Sequence, residues 1–195
     1  GMGGLMSITG QPDGAPGAEP MKVGVAVVDL FTGLYAANAI LCGLLHARAT
    51  GEGQHMDIAL FDVQAAVLAN QASNYFATGK PPGRLGNAHP NLAPYQVFAT
   101  ADGAMVLAVG NDGQFRAFAK AAGAPELGED PRFATNAQRV AARAQLAQAM
   151  APILATRETR AWIALLEAAG VPCGPINGVD QVFEEPQALH RGLVV

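Results

Sequence analysis

The chain is poor in charge, in aromatic side chains and in cysteine, and each scarcity removes a class of function. Only 14% of its 195 residues are charged, with 12 basic against 16 acidic side chains and a net charge of −4. Nucleic-acid binding relies on a basic stripe that neutralises phosphates, and none is present. Aromatic residues make up 6%, and they form no stacking series. The two cysteines, Cys42 and Cys173, share no zinc-type spacing with the four histidines and form no redox motif. A reduced, cytoplasmic setting is the expectation. No leader is expected either. Residues 1–22 lack a basic region and an apolar core, and Gln11-Pro12-Asp13-Gly14 is a strong turn signal.

What remains is apolar. Half the residues are hydrophobic, and a chain of this length can bury a substantial core as one large domain or two small ones. The longest apolar run, Val23 to Leu45, contains one charged side chain, Asp29. The run is long enough to span a bilayer. Asp29, Thr32, Asn38 and an alanine-rich make-up favour instead a helix inside a folded protein. A carboxylate in such a run must be solvated, paired or put to use, because burying it bare costs several kcal/mol. Asp is also a favoured N-cap residue, so a capping role and a chemical role both stand at this point.

Along the chain, a helix is expected from about Asp29 to Ala49, stopped at Gly51. His55 to Leu60 alternates polar and apolar residues, the pattern of a strand. Phe61 to Phe76 returns to helical spacing and leads into a hinge at 79–86. Tyr95–Thr100 and Ala104–Val109 flank an Ala-Asp-Gly turn and read as a hairpin. Helices are expected near Gln114–Ala122, after Asp130, over Thr159–Ala169 and from Gln181. Residues 171–177 form a rigid turn or short strand. Gly51-x-Gly53 follows a helix and is too short for a phosphate loop. His46, Arg48 and His55 sit where cations favour a helix C-terminus. Asp57 and Asp62 read as solvated or paired, Asp102, Asp112 and Asp130 as turn residues, and Arg132 and Arg139 as local partners for acids.

Six stretches resemble one family in its order: GGLMSITGQPDGAP, GVAVVDLFTGLYAANAILCGLLHARATGEGQHMDIALFD, RLGNAHPNLAPYQVFATADG, GNDGQFRAFAKAAG, DPRFATNAQRV and AAGVPCGPINGVDQVFEEPQ. The family is the class III CoA-transferases, which includes formyl-CoA transferases, carnitine CoA-transferases and α-methylacyl-CoA racemases. The resemblance implies an α/β protein of about twice this length, of which the chain is a middle fragment. Residues 1–78 correspond to part of the large domain, 79–90 to a linker, 91–178 to a small α+β domain, and 179–195 to the start of the return to the large domain. The Rossmann-like half with most CoA contacts would precede Gly3, so the CoA-binding residues are mostly upstream of this chain. The apolar ending Gly192-Leu193-Val194-Val195 fits a cut chain.

The resemblance places the family's nucleophile on Asp29. It implies CoA transfer between an acyl-CoA and a carboxylic acid through a covalent aspartyl intermediate, with the CoA thioester as substrate and no metal or prosthetic group. A homodimer without nucleic-acid or membrane partners is implied as well. In formyl-CoA transferases a glycine run covers the active site. Here Gly86-Asn87-Ala88 matches it, but His89, Pro90 and Asn91 replace the glycines. That departure favours a larger dicarboxylic or branched acid over oxalate or formate, with Asn87, His89 and Tyr95 as candidates for holding the acceptor carboxylate. The alternative for this stretch is a hairpin lead-in with Tyr95 in the small-domain core. Two other functions stay open: a 2-methylacyl-CoA racemase, whose partner histidine would lie upstream, and a catalytically silent dimerisation module.

Overall fold

The computed structural model describes residues 1–194 and divides into two compact units, Gly1–Gly86 and the remainder from Asn87 on. The division falls within the 79–90 stretch.

The first unit opens with a loop that its own backbone ties down. The Gly86 N–H donates to Gly10 O at 3.0 Å, the Met21 N–H to Thr9 O at 2.9 Å, and the Arg84 guanidinium bonds Gln11 O and the Asp13 carboxylate. Gly10 has φ 125°, and a Cβ there would lie 2.4 Å from Glu19 O, so only glycine fits. Helix α1, Val27–Thr50, starts from Ala26 without a side-chain cap. It ends at Gly51, whose φ of 78° and N–H to Ala47 O make the left-handed stop expected of that glycine. Gly43 is its one buried residue, set against Met56.

Two expectations fail in the next stretch. Residues 55–59 form no strand, and helix begins at Leu60. Alternation describes a surface ready for pairing, and no strand of this unit is available to pair with it: the three described strands all lie beyond residue 94. The single helix expected over 61–76 is two, α2 (Leu60–Val67) and α3 (Ala69–Thr78). Ala69 takes φ 46°, which interrupts the helical hydrogen-bond ladder at a position no glycine marks.

The second unit carries the core. Strands β1 (Tyr95–Ala99), β2 (Ala104–Ala108) and β3 (Cys173–Pro175) form an antiparallel sheet in that order. Phe98 pairs with Met105, and Leu107 with Cys173. Around the sheet lie α4 (Asp112–Ala121), α5 (Pro125–Glu129), α6 (Asn136–Ala141), α7 (Arg143–Leu154) and α8 (Thr159–Ala168), with a 3-10 turn at Pro131–Phe133. Two short helices follow, α9 (Val179–Glu184) and α10 (Pro186–His190).

Alternation in β2 puts Met105 and Leu107 inward, where Phe115, Phe118, Met150, Leu154, Trp162 and Leu166 meet them, all essentially without exposure. The Trp162 Nε1–H donates to Leu154 O at 2.7 Å, which removes the cost of burying the indole nitrogen. Asn111 caps α4, and Thr135 with Gln138 makes a reciprocal capping box on α6. In the first unit, by contrast, Val63 is the only buried hydrophobic side chain among the described residues.

Candidate active site

Asp29 is the third residue of α1, not its cap. Ala26 holds the capping position, so the helix-cap reading of Asp29 falls away. The side chain is exposed and makes no hydrogen bond or ion pair among the described residues. It lines a cleft of about 340 Å³ with Lys22, Val25, Val28, Leu5 and Gln64. Apolar walls and a few polar groups are the usual make-up of a small-molecule site. The positive end of the helix dipole favours negative charge in this first turn, by about 0.3–1 kcal/mol. Asp29 is therefore a carboxylate with no structural partner, at a helix N-terminus, in a cleft.

The other sequence-predicted residues lie in the second unit. Asn87 is exposed and its side chain makes no hydrogen bond among the described residues. His89 and Tyr95 come together. Their rings stack with centroids 5.1 Å apart at 20°, and the His89 N–H donates to Tyr95 O at 2.9 Å. Tyr95 is half-buried and outside the core cluster, so it packs on His89 rather than in the small-domain core. The Asn91 and Leu92 N–H groups both donate to His89 Nδ1, each at 3.1 Å. Partial burial, and then the nearby Arg143 charge, hold the His89 pKa below its ordinary 6.5.

Three side chains that hold this loop were missed or under-read in the sequence. The Arg143 guanidinium donates to His89 O and, at 2.9 Å, to Pro90 O. Asn136 accepts from the Ala93 N–H at 3.2 Å and donates to Asn91 O at 2.8 Å. Arg139 is fully buried. It donates to Ala93 O at 2.7 Å, Phe133 O at 3.0 Å and Asp112 Oδ1 at 2.8 Å, and its guanidinium lies 4.6 Å from the centre of the Phe115 ring. That bond from Arg139 holds the Asp112 carboxyl below the usual carboxylate range. Asn136 and Arg139 fall at i and i+3 on α6 and Arg143 opens α7, and polar side chains at that spacing were the available signal.

The remaining acids and bases behave as structure. Asp102 Oδ1 accepts from the Thr159 N–H at 2.7 Å and from the Thr159 and Thr100 hydroxyls, so the hairpin turn caps α8 from outside. Asp130 accepts from the Arg132 backbone and guanidinium. His46, Arg48, His55, Asp57 and Asp62 are exposed. Burial raises the pKa of the Cys173 thiol, and no three His, Cys, Asp or Glu side chains cluster to hold a metal among the described residues.

The sequence profile described as CoA-transferase family III matches residues 1–195. The succinate–glutarate CoA-transferase of Agrobacterium fabrum is 51% identical over 195 residues, covering 100% of this chain and 48% of the relative. The acetyl-CoA:oxalate CoA-transferase of Acetobacter aceti is 37% identical over 194 residues, covering 100% and 49%. A solved CAIB/BAIF family protein from Brucella suis superposes with a TM-score of 0.79 at 49% identity, over 100% of this chain and 50% of the other. The chain thus spans about half the length of the curated relatives it matches. Across its whole length, the chain belongs to CoA-transferase family III.

Proposed function

We propose that the whole protein containing this chain transfers CoA from an acyl-CoA to a carboxylic acid, with Asp29 as the nucleophile. The observation that carries this reading is the unpartnered Asp29 carboxylate in the cleft at the head of α1. A hydrated carboxylate attacks thioesters slowly. Holding it against the carbonyl in an apolar cleft makes the attack effectively intramolecular, worth up to roughly 7–11 kcal/mol of barrier.

The bonds balance in four steps. The Asp29 carboxylate attacks the acyl carbonyl, the C–S bond breaks, and a mixed anhydride forms as CoA leaves as thiolate. The thiolate attacks the aspartyl carbonyl, forming an Asp29–CoA thioester and releasing the donor acid. The acceptor carboxylate then attacks that thioester carbonyl, expelling the thiolate again and leaving a new mixed anhydride. Finally the thiolate takes the acceptor acyl group, and Asp29 returns as a free carboxylate. No net proton or electron is exchanged.

The acceptor is a dicarboxylic acid larger than oxalate, or a branched acid, because His89, Pro90 and Asn91 put side chains where the resemblance has glycines. Asn87, His89 and Tyr95 contribute to holding it, and the whole protein works as a homodimer. This chain by itself is inactive. Asp29→Ala in the whole protein is expected to lower transfer from succinyl-CoA to glutarate by at least about 10³-fold. Retained transfer would refute the reading. Deuterium incorporation at the α-carbon of a 2-methylacyl-CoA without CoA transfer would identify racemisation instead.

A further inference from the structure

The best-organised polar feature outside the Asp29 cleft is the loop 89–93, where two cationic side chains hold backbone and no carboxylate answers one of them. Arg143 is half-buried and is the first residue of α7, where the helix dipole disfavours a cation. Among the described residues it forms no ion pair, and both its terminal nitrogens go to consecutive carbonyls, those of His89 and Pro90. Its charge is left without a counter-ion. Arg139, by contrast, is answered by Asp112.

The grip on those carbonyls shapes the turn that follows. It presents two backbone N–H groups, Asn91 and Leu92, to His89 Nδ1. A backbone amide can only donate, so Nδ1 must accept and carries no proton. The neutral ring keeps its proton on Nε2, which has no protein partner among the described residues. The stack on Tyr95 fixes the ring plane. The result is a single N–H donor of fixed orientation in a loop that carries an uncompensated guanidinium, the complement of an anionic oxygen.

We propose that Arg143 is a positioning residue that locks His89 as its Nε2–H tautomer, and that this tautomer and the Arg143 charge together recognise a carboxylate of the acceptor acid. This rests on the CoA-transferase reading above and goes beyond it by giving the loop one role and one mechanism.

The first test is histidine-selective 15N NMR of the whole protein, with His89 assigned by the signal lost in His89→Gln. The expected result is one neutral tautomer, protonated at Nε2, throughout neutral pH. Protonation at Nδ1, or a mixture, overturns the proposal. Arg143→Met removes both donors to the loop, and it is expected to give a mixture of tautomers with the core amide spectrum unchanged. A single unchanged tautomer in that variant overturns the positioning role. Glutarate added to the whole protein is expected to shift the His89 Nε2 signal and its neutral diamide to leave it unmoved. No response to glutarate, or an equal response to both, overturns the recognition role.

In the whole protein, His89→Phe keeps the ring stack and removes the donor. The expected result is a rise in KM of about tenfold or more for glutarate, with KM for an acyl-CoA that has no free carboxylate on its acyl group unchanged. An unchanged KM for glutarate overturns the proposal. A whole protein that transfers no CoA, while the NMR results hold, refutes the proposed function and not this recognition loop.

Discussion

Single residues divide into those the fold uses up and those it leaves free. Asp102 is used up: three donors from Thr159 and Thr100 converge on one carboxylate oxygen. Those bonds, led by the Thr159 backbone N–H, hold its pKa below the ordinary 3.8. A carboxyl depressed on folding stabilises the native state above its unfolded pKa, and that contribution is lost as pH falls through the folded value. Asp102→Asn is therefore expected to lower the melting temperature at neutral pH. The gap from the unmodified chain should close as pH drops below about 3.8. A gap that stays constant with pH in thermal melts would mean the carboxylate charge is not what holds the α8 terminus. Asp29 is the opposite case, an acid with no structural duty, and its freedom is what recommends it as a nucleophile.

Elements show where a sequence is legible. The β1–β2 hairpin, the α1 stop at Gly51 and α8 with Trp162 and Leu166 on its inner face were all readable, because period and turn chemistry are local signals. The unpaired stretch 55–59 and the break at Ala69 were not. Pairing depends on a distant partner strand, and a left-handed alanine leaves no mark in composition. In the site, Asp29 stood out as the only charge in an apolar run. Arg139 and Arg143 did not, because what they hold is backbone of a loop more than 40 residues away in sequence. Arg139 links α6 to that loop, to the 3-10 turn at 131–133 and to α4. Arg139→Met would strand two buried carbonyls and Asp112, and is expected to cost about 2–5 kcal/mol in urea denaturation. A cost below about 1 kcal/mol would show that the network is dispensable.

At the scale of the whole molecule, the two units differ in how well each is closed. The second holds a packed core of its own, whereas α1 in the first exposes Leu30, Phe31, Leu34, Leu41, Leu44 and Leu45. By length and composition α1 could also cross a membrane. A helix apolar on every side is ordinarily covered in its native setting. We attribute the cover to the rest of a longer protein, consistent with relatives about twice this length. The chain alone is accordingly expected to self-associate in light scattering and to bind CoA weakly in titration calorimetry. A monomer that binds CoA tightly would contradict that account. The central claim is covalent chemistry at Asp29, and the most direct measurement is mass spectrometry of the whole protein incubated with succinyl-CoA and quenched with hydroxylamine. The account predicts a hydroxamate on the peptide containing Asp29, absent without succinyl-CoA and absent from Asp29→Ala. Transfer to glutarate with no adduct on that peptide, or an adduct on a different acid, would contradict it.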